Sequence, residues 1–150
     1  MISLRAPNKD EHEALTDLCI RAKAHWGYDD DFMAMCAEEM TITASDITSG
    51  YFQVAERGGN LVGVASIAPC NDGIEVDLIY VDPDHMGTGA GRKLMDWAMD
   101  AARAMNADEL IIVADPHAET FYTHIGAARV GEYPSGSIPG RMLPKLILKL

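Results

Sequence analysis

Residues 80–94 read Tyr80-Val-Asp-Pro-Asp-His-Met-Gly-Thr-Gly-Ala-Gly-Arg-Lys-Leu94, and the rest of the chain can be placed around them. Upstream, Ile74, Val76, Leu78 and Tyr80 alternate with Glu75 and Asp77, the two-residue period of a strand, and Asp82-Pro83-Asp84 stops it. Gly87, Gly89 and Gly91 follow with nothing bulkier than Thr88 between them, so the backbone can approach a ligand closely. From Arg92 onward, Leu94, Met95, Ala98, Ala101, Ala102 and Met105 share one helical face, and Lys93, Asp96, Asp100 and Arg103 the other. A glycine loop that opens a helix leaves main-chain N–H groups free at the positive end of the helix dipole. Such a loop binds phosphate without needing many basic side chains.

The spacing separates this loop from other phosphate loops. A Walker A loop would end Gly-Lys-Ser or Gly-Lys-Thr, whereas this helix opens Gly91-Arg92-Lys93-Leu94. A dinucleotide fingerprint needs Gly-x-Gly-x-x-Gly, and Gly87-Thr88-Gly89-Ala90-Gly91 lacks the second gap. Alone, the pentapeptide reads equally well as a tight strand-to-helix turn. Its surroundings carry more. Tyr80 to Gly91 resembles motif A of the GNAT superfamily of N-acetyltransferases, Arg/Gln-x-x-Gly-x-Gly/Ala after a strand ending in a Tyr-Val pair, with Met86 where Arg or Gln is usual. Downstream, Asp115-Pro-His-Ala118-Glu-Thr-Phe121-Tyr122-Thr-His-Ile-Gly126-Ala127 resembles the same family's Asn-x-x-Ala-x-x-Phe-Tyr-x-x-x-Gly-Phe segment, with Asp115 replacing Asn and Ala127 replacing Phe. The two motifs stand in the family's order, and the resemblance covers nearly the whole chain.

Composition narrows the possibilities. The 150 residues are expected to form a single domain, 1–150, and 48% hydrophobic with 23% charged residues is a globular balance. No apolar run reaches membrane-spanning length, and Met1-Ile-Ser-Leu-Arg-Ala-Pro7 lacks a signal peptide's basic and apolar regions, so no membrane partner is expected. Cys19, Cys36 and Cys70 show neither zinc spacing nor a disulfide framework; the first two lie on apolar helix stripes, and a cytoplasmic location fits. A net charge of −11 argues against nucleic acid, which needs clustered Lys and Arg, and favours a cationic partner such as an amine. His12, His25, His85, His117 and His124 form no ligand pair, so no metal is expected.

In chain order, Ile2 to Ala6 reads as a strand, and Asn8 with Glu11 starts a helix whose stripe is Ala14, Leu15, Leu18, Cys19 and Ala22. A second helix spans Asp31 to Met40, and Ser45-Asp46 caps at most a single turn before Gly50. Tyr51 to Glu56, Leu61 to Pro69 and Gly73 to Val81 form three antiparallel strands, joined by Arg57-Gly-Gly-Asn60 and Asn71-Asp-Gly73. After the glycine-loop helix come a buried strand, Glu109 to Ala114, and a helix that Asp115 caps and Gly126 ends. Ala128 to Tyr133 and Leu143 to Leu150 are the last strands, with a Pro/Gly-rich loop between them. The order is β-α-α-β-β-β-α-β-α-β-β.

The resemblance implies an α/β (α+β) fold. Its mixed, mostly antiparallel sheet of six to seven strands would be flanked by about four helices and splayed between the fourth and fifth strands. It implies acetyl-CoA as donor, with pantetheine entering the splay beside Ile79, Tyr80 and Val81. The pyrophosphate would lie on Met86, Gly87, Thr88, Gly89, Ala90, Gly91 and Arg92, and Asp115 and Ala118 would lie along the cofactor. It implies Tyr122 as general acid at the CoA sulfur, where the plain alternative is a packed aromatic. Glu75, the better of two candidate bases, matches the position of the catalytic glutamate in the histone-acetylating branch. Asp77, two residues on, or ordered water are the other bases, and a solvated carboxylate row is an equal alternative. A main-chain N–H near Val81 would meet the oxyanion. Trp26, Tyr28 and Asp29, with Ser137 and Arg141 of the last loop, would face the acceptor amine, although Asp29 to Asp31 better suit the start of a helix. Arg141 is also suited to selecting a carboxylate on the acceptor. The expected function is acetyl transfer to a primary amine, with a homodimer as family members often form. The alternative is a non-catalytic acyl-CoA sensor.

Overall fold

In a computed structural model, which describes every residue from Met1 to Leu150, strand β1 (Ile2–Arg5) leads through a 310 turn into helices α1 (His12–Ala24), α2 (Asp30–Met40) and α3 (Ala44–Ser49). Strands β2 (Tyr51–Arg57), β3 (Asn60–Cys70) and β4 (Gly73–Val81) follow, then α4 (Ala90–Ala104), β5 (Glu109–Val113), α5 (Glu119–Ile125), β6 (Ala128–Pro134) and β7 (Met142–Lys149). The sheet has seven strands in the order β1-β2-β3-β4-β5-β7-β6. Every neighbouring pair is antiparallel except β4 and β5, so the expected mixed, mostly antiparallel architecture is present. The edge strand β6 has all seven of its residues exposed. No helix is long and apolar enough to cross a membrane.

Five α-helices flank the sheet rather than four. The added one, α3, is fixed by a capping box at Thr43, not by Ser45: the Asp46 N–H donates to Thr43 Oγ1 (3.0 Å), and the Thr43 N–H donates to Asp46 Oδ2 (2.9 Å). Two of the helix's unpaired N-terminal donors are thereby met, enough to hold one short helix that packing alone would not nucleate.

Two layers of helix bury the two sheet faces. On one, α1 and α2 pack Leu15, Leu18, Cys19, Cys36 and Met40 against Val54, Val64 and Leu78. Cys19 and Cys36 are thus core residues, as their places on the apolar stripes predict. On the other face, α4 presents a stripe at four-residue spacing, Ala90, Leu94, Ala98 and Ala102, each at most 1% exposed. Gly63 on β3 lets that helix come close, because a Cβ there would lie 2.9 Å from Leu94 Cδ1.

The feature that positions the site is a break in register. Ser66 of β3 pairs with Leu78 of β4, but the next β3 residue, Ile67, pairs with Val76, leaving Asp77 unopposed in a β-bulge. Side chains therefore change face there: Leu78 and Tyr80 join the α1–α2 core, whereas Ile74, Val76 and Ile79 pack toward α4 and α5. Beyond the bulge, β4 and β5 separate. They share a single paired position, Glu75 with Ile111, while β5 follows β7 along its length. The expected splay between the fourth and fifth strands is this gap.

Candidate active site

The loop after β4 is built by local hydrogen bonds and two left-handed glycines. Asp82 caps a 310 turn at Pro83–His85 through the Asp84 N–H (3.0 Å) and takes Arg21 on its other oxygen (2.8 Å). The Thr88 hydroxyl donates to the His85 carbonyl (2.6 Å). Gly87 at φ +77° and Gly89 at φ +90° then turn the chain into α4, conformations a Cβ would strain. Six consecutive main-chain N–H groups, those of Gly87, Thr88, Gly89, Ala90, Gly91 and Arg92, donate to no acceptor in the protein. They converge at the positive end of the α4 dipole. Gly91 has a different reason: a Cβ there would press on the Phe121 ring at 3.3 Å. The Arg92 guanidinium is occupied along the helix by Asp96 (3.1 Å), and Met86 is exposed at the rim.

The gap between β4 and β5 is a largely apolar cleft of about 280 Å3, running from the glycine loop at Met86 and Gly91 to Phe121 and Tyr122 of α5. Asp82 donates its N–H to Val62 of β3 (2.8 Å). Main-chain groups alternate along a strand, so Tyr80 also turns to β3, and Ile79 and Val81 face the cleft. Tyr122 is 4% exposed, and its hydroxyl makes no hydrogen bond to the protein. Burial, and secondarily the charge of Asp115, push that phenol well above its ordinary value. Trp26 roofs the cleft and stacks on His117 with ring centroids 4.9 Å apart.

The two acidic candidates separate. Asp77, at the bulge, lines the cleft; Glu75, at the β4–β5 pairing, does not. Burial raises the pKa of both. The Asp77 charge adds to the rise at Glu75, and at Asp77 the Asp46 charge adds while the Ser66 hydroxyl (3.4 Å) opposes. Glu75, expected to be the better of the two candidates, stands off the cleft at the strand pairing, and of the pair Asp77 alone lines it.

A second pocket, of about 130 Å3, adjoins the cleft through Lys23, Asp77, Tyr80 and Asp115 and is closed by Arg141 from the last loop. Asp115 lines it: Oδ1 accepts the His117 N–H (2.9 Å), Oδ2 accepts the Tyr28 hydroxyl (2.8 Å) and stands 3.5 Å from both Lys23 and Arg141, and Arg141 donates to the same hydroxyl (2.9 Å). Burial raises the carboxyl of Asp115, but these hydrogen bonds and the charges of Lys23 and Arg141 hold it below the ordinary range; burial pushes the Tyr28 phenol up to about 12. Of the residues expected at the acceptor, Trp26, Tyr28 and Arg141 come together. Asp29 instead caps α2 through the Phe32 N–H (2.8 Å), and Ser137 reaches the pocket wall indirectly by donating to Glu39 (2.8 Å). Asp115 lies along the cleft as expected and also belongs to this pocket. Lys23 and Glu39 escaped sequence reading. The signal for Lys23 was its position, four residues after Cys19 and eight after Leu15, in line with an apolar stripe.

Residues 13–127 match the family model described as the acetyltransferase (GNAT) family. Solved structures align over almost the entire chain. A GCN5-related N-acetyltransferase from Rhodopseudomonas palustris has a TM-score of 0.83 and 21% identity, covering 99% of this chain and 95% of its own. The PaiA N-acetyltransferase from Thermoplasma acidophilum, solved with coenzyme A, has 0.78 and 14%, covering 100% and 99%. YncA from Salmonella typhimurium, solved with its cofactor acetyl-CoA, has 0.70 and 22%, covering 99% and 94%. No curated protein matches the chain significantly. With the glycine loop, the splayed strands and the family match in agreement, the chain belongs to the acetyltransferase (GNAT) family. That class comprises acyl-CoA-dependent N-acetyltransferases, for which acetyl-CoA is the donor.

Proposed function

We propose that this chain moves the acetyl group of acetyl-CoA to a primary amine by direct attack, with no acyl-enzyme. The observation that carries the reading is the row of six unmet N–H groups, Gly87 to Arg92, opening onto the same cleft that holds Tyr122. Such donors fit a pyrophosphate, and the cleft fits a narrow, mostly apolar arm. When bound, acetyl-CoA supplies an activated thioester. Ile79 and Val81 would hold the amides of its pantetheine arm as an added strand would, and a main-chain N–H near Val81 would stabilise charge developing on the carbonyl oxygen.

Asp77, directly or through water, takes a proton from the acceptor ammonium and so releases the neutral amine that attacks. As the C–N bond forms and the C–S bond breaks, the Tyr122 hydroxyl gives its proton to the departing sulfur and regains one from the amine nitrogen, which loses it on becoming the amide. The products are an N-acetylated amine and CoA thiol. A phenol whose pKa is pushed up stays protonated across the working range and so keeps that proton available. Trp26 and His117 cover the cleft where acceptor and donor meet. Calorimetric binding of acetyl-CoA together with amine-dependent CoA release tests the reading. Binding with release supports it, and absence of binding removes it.

A further inference from the structure

Resting on the acetyltransferase reading, we propose that the acceptor is an amine that also carries a carboxylate, an amino acid or a short amino-carboxylate. Its carboxylate would be held by Lys23 and Arg141 in the pocket beside the cleft.

The reason is an imbalance of hydrogen-bonding capacity. Lys23 is 5% exposed and lines both the cleft and the adjoining pocket, yet its ammonium makes no hydrogen bond. Its neighbours, Glu39 Oε1 and Asp115 Oδ2, each stand 3.5 Å away, an ion-pair separation with poor hydrogen-bond geometry. Both carboxylates are already served. Asp115 accepts from Tyr28 and from the His117 main chain, and Glu39 accepts from Ser137. Arg141 donates one guanidinium N–H to the Tyr28 hydroxyl and stands 3.5 Å from Asp115 Oδ2 as an ion pair, with the group over Phe32 (4.8 Å) and Tyr28 (5.3 Å). A lysine has three donors and an arginine five, so most of the donors of these two residues are unmet around one small pocket.

An ammonium held between two carboxylates at 3.5 Å keeps donors that a bound carboxylate can use. A carboxylate supplies two oxygens with room for several donors, and about 130 Å3 suits the head of a small amino acid. Asp77, also on the pocket wall, faces the opposite charge of such an acceptor, its amine. A purely cationic amine would be met by Asp77 but would leave the free donors of Lys23 and Arg141 without a ligand acceptor. The product of an amino acid acceptor is the N-acetyl amino acid plus CoA thiol.

The test measures CoA thiol release, with acetyl-CoA binding followed in parallel by calorimetry. Three matched series of acceptors are compared: the proteinogenic amino acids, their carboxamides, and the amines that remain when the carboxyl group is removed. The expected result is turnover of at least one amino acid with kcat/KM about tenfold or more above its carboxamide and its decarboxylated amine. In Lys23→Met, and separately in Arg141→Gln, that preference collapses mainly through KM, while acetyl-CoA binding persists. Equal or better turnover of the decarboxylated amines overturns the inference. Acetyl-CoA binding with no carboxylate-bearing amine consumed overturns it as well, and in both cases the donor assignment survives. Loss of acetyl-CoA binding in the unaltered protein would instead remove the acetyltransferase reading itself.

Discussion

Tyr122 packs its ring out of water while its hydroxyl stays without a protein partner in the cleft. Replacing it with phenylalanine keeps the packing and removes only the proton. Tyr122→Phe should lower kcat by about 10²–10⁴-fold and leave the acetyl-CoA Kd unchanged, as steady-state kinetics and calorimetry would show. Normal turnover would end its role as the acid. At the base, Asp77→Asn should lower kcat more than Glu75→Gln, because only Asp77 lines the cleft. Burial raises the Asp77 pKa. The rate should therefore climb as pH rises through that raised value, and this acid limb should vanish in Asp77→Asn. The same shift makes a statement about stability. A carboxyl whose folded pKa lies above its unfolded one favours folding below the unfolded value, and that contribution is lost as pH rises through the folded value. Asp77→Asn should thus raise the thermal midpoint near neutral pH by about 2 °C while it slows catalysis; a fall in midpoint would contradict the shift. The resemblance marks Tyr122 and Glu75, and the strand period adds Asp77 two residues on; that Asp77 and not Glu75 lines the cleft comes from the bulge. Lys23 was not, since its burial comes from where α1 packs on the sheet.

The glycine loop and the helix it opens act as one element, so changes there should separate binding from chemistry. At Gly89, φ +90° disfavours a Cβ by about 1–2 kcal/mol. Gly89→Ala should distort the run of free N–H groups and weaken acetyl-CoA binding by about tenfold, with kcat at saturating donor largely kept. At Gly63 the obstacle is packing: a Cβ 2.9 Å from Leu94 Cδ1 and 3.3 Å from the Tyr80 carbonyl should cost about 1–3 kcal/mol of stability in Gly63→Ala. A chemical denaturation midpoint unchanged by that substitution would show that α4 can move away. These elements were readable because glycine spacing, the strand period and the helical stripe are local signals. The bulge at Asp77 was not readable, because it exists only as an offset between the partners of β3 and β4. For a similar reason the start of α3 moved to Thr43. Both Thr43 and Ser45 are plausible caps locally, and only the reciprocal bonds with Asp46 distinguish them.

At the scale of the molecule, the chain places an anion site on an acidic protein of net charge −11. Main-chain amides and a helix dipole make this workable, since they act at short range whereas the net charge is screened over about 8 Å at physiological salt. Donor capture should therefore depend on salt in the direction of like charges: the association rate for acetyl-CoA should rise with ionic strength. A steep fall would point to basic side chains as the main holders. The mixed, mostly antiparallel sheet and its splay followed from the family resemblance, whereas the convergence of Lys23, Asp115 and Arg141 needed the last loop folded over α1 and α2. The most direct measurement is amide-resolved proton–nitrogen NMR during titration with acetyl-CoA. The resonances of Gly87, Thr88, Gly89, Ala90, Gly91 and Arg92 should shift together with those of Ile79 and Val81, while those of the edge strand β6 stay in place. Saturation with acetyl-CoA that leaves the Gly87–Arg92 amides unmoved would contradict the assignment of this loop to the pyrophosphate.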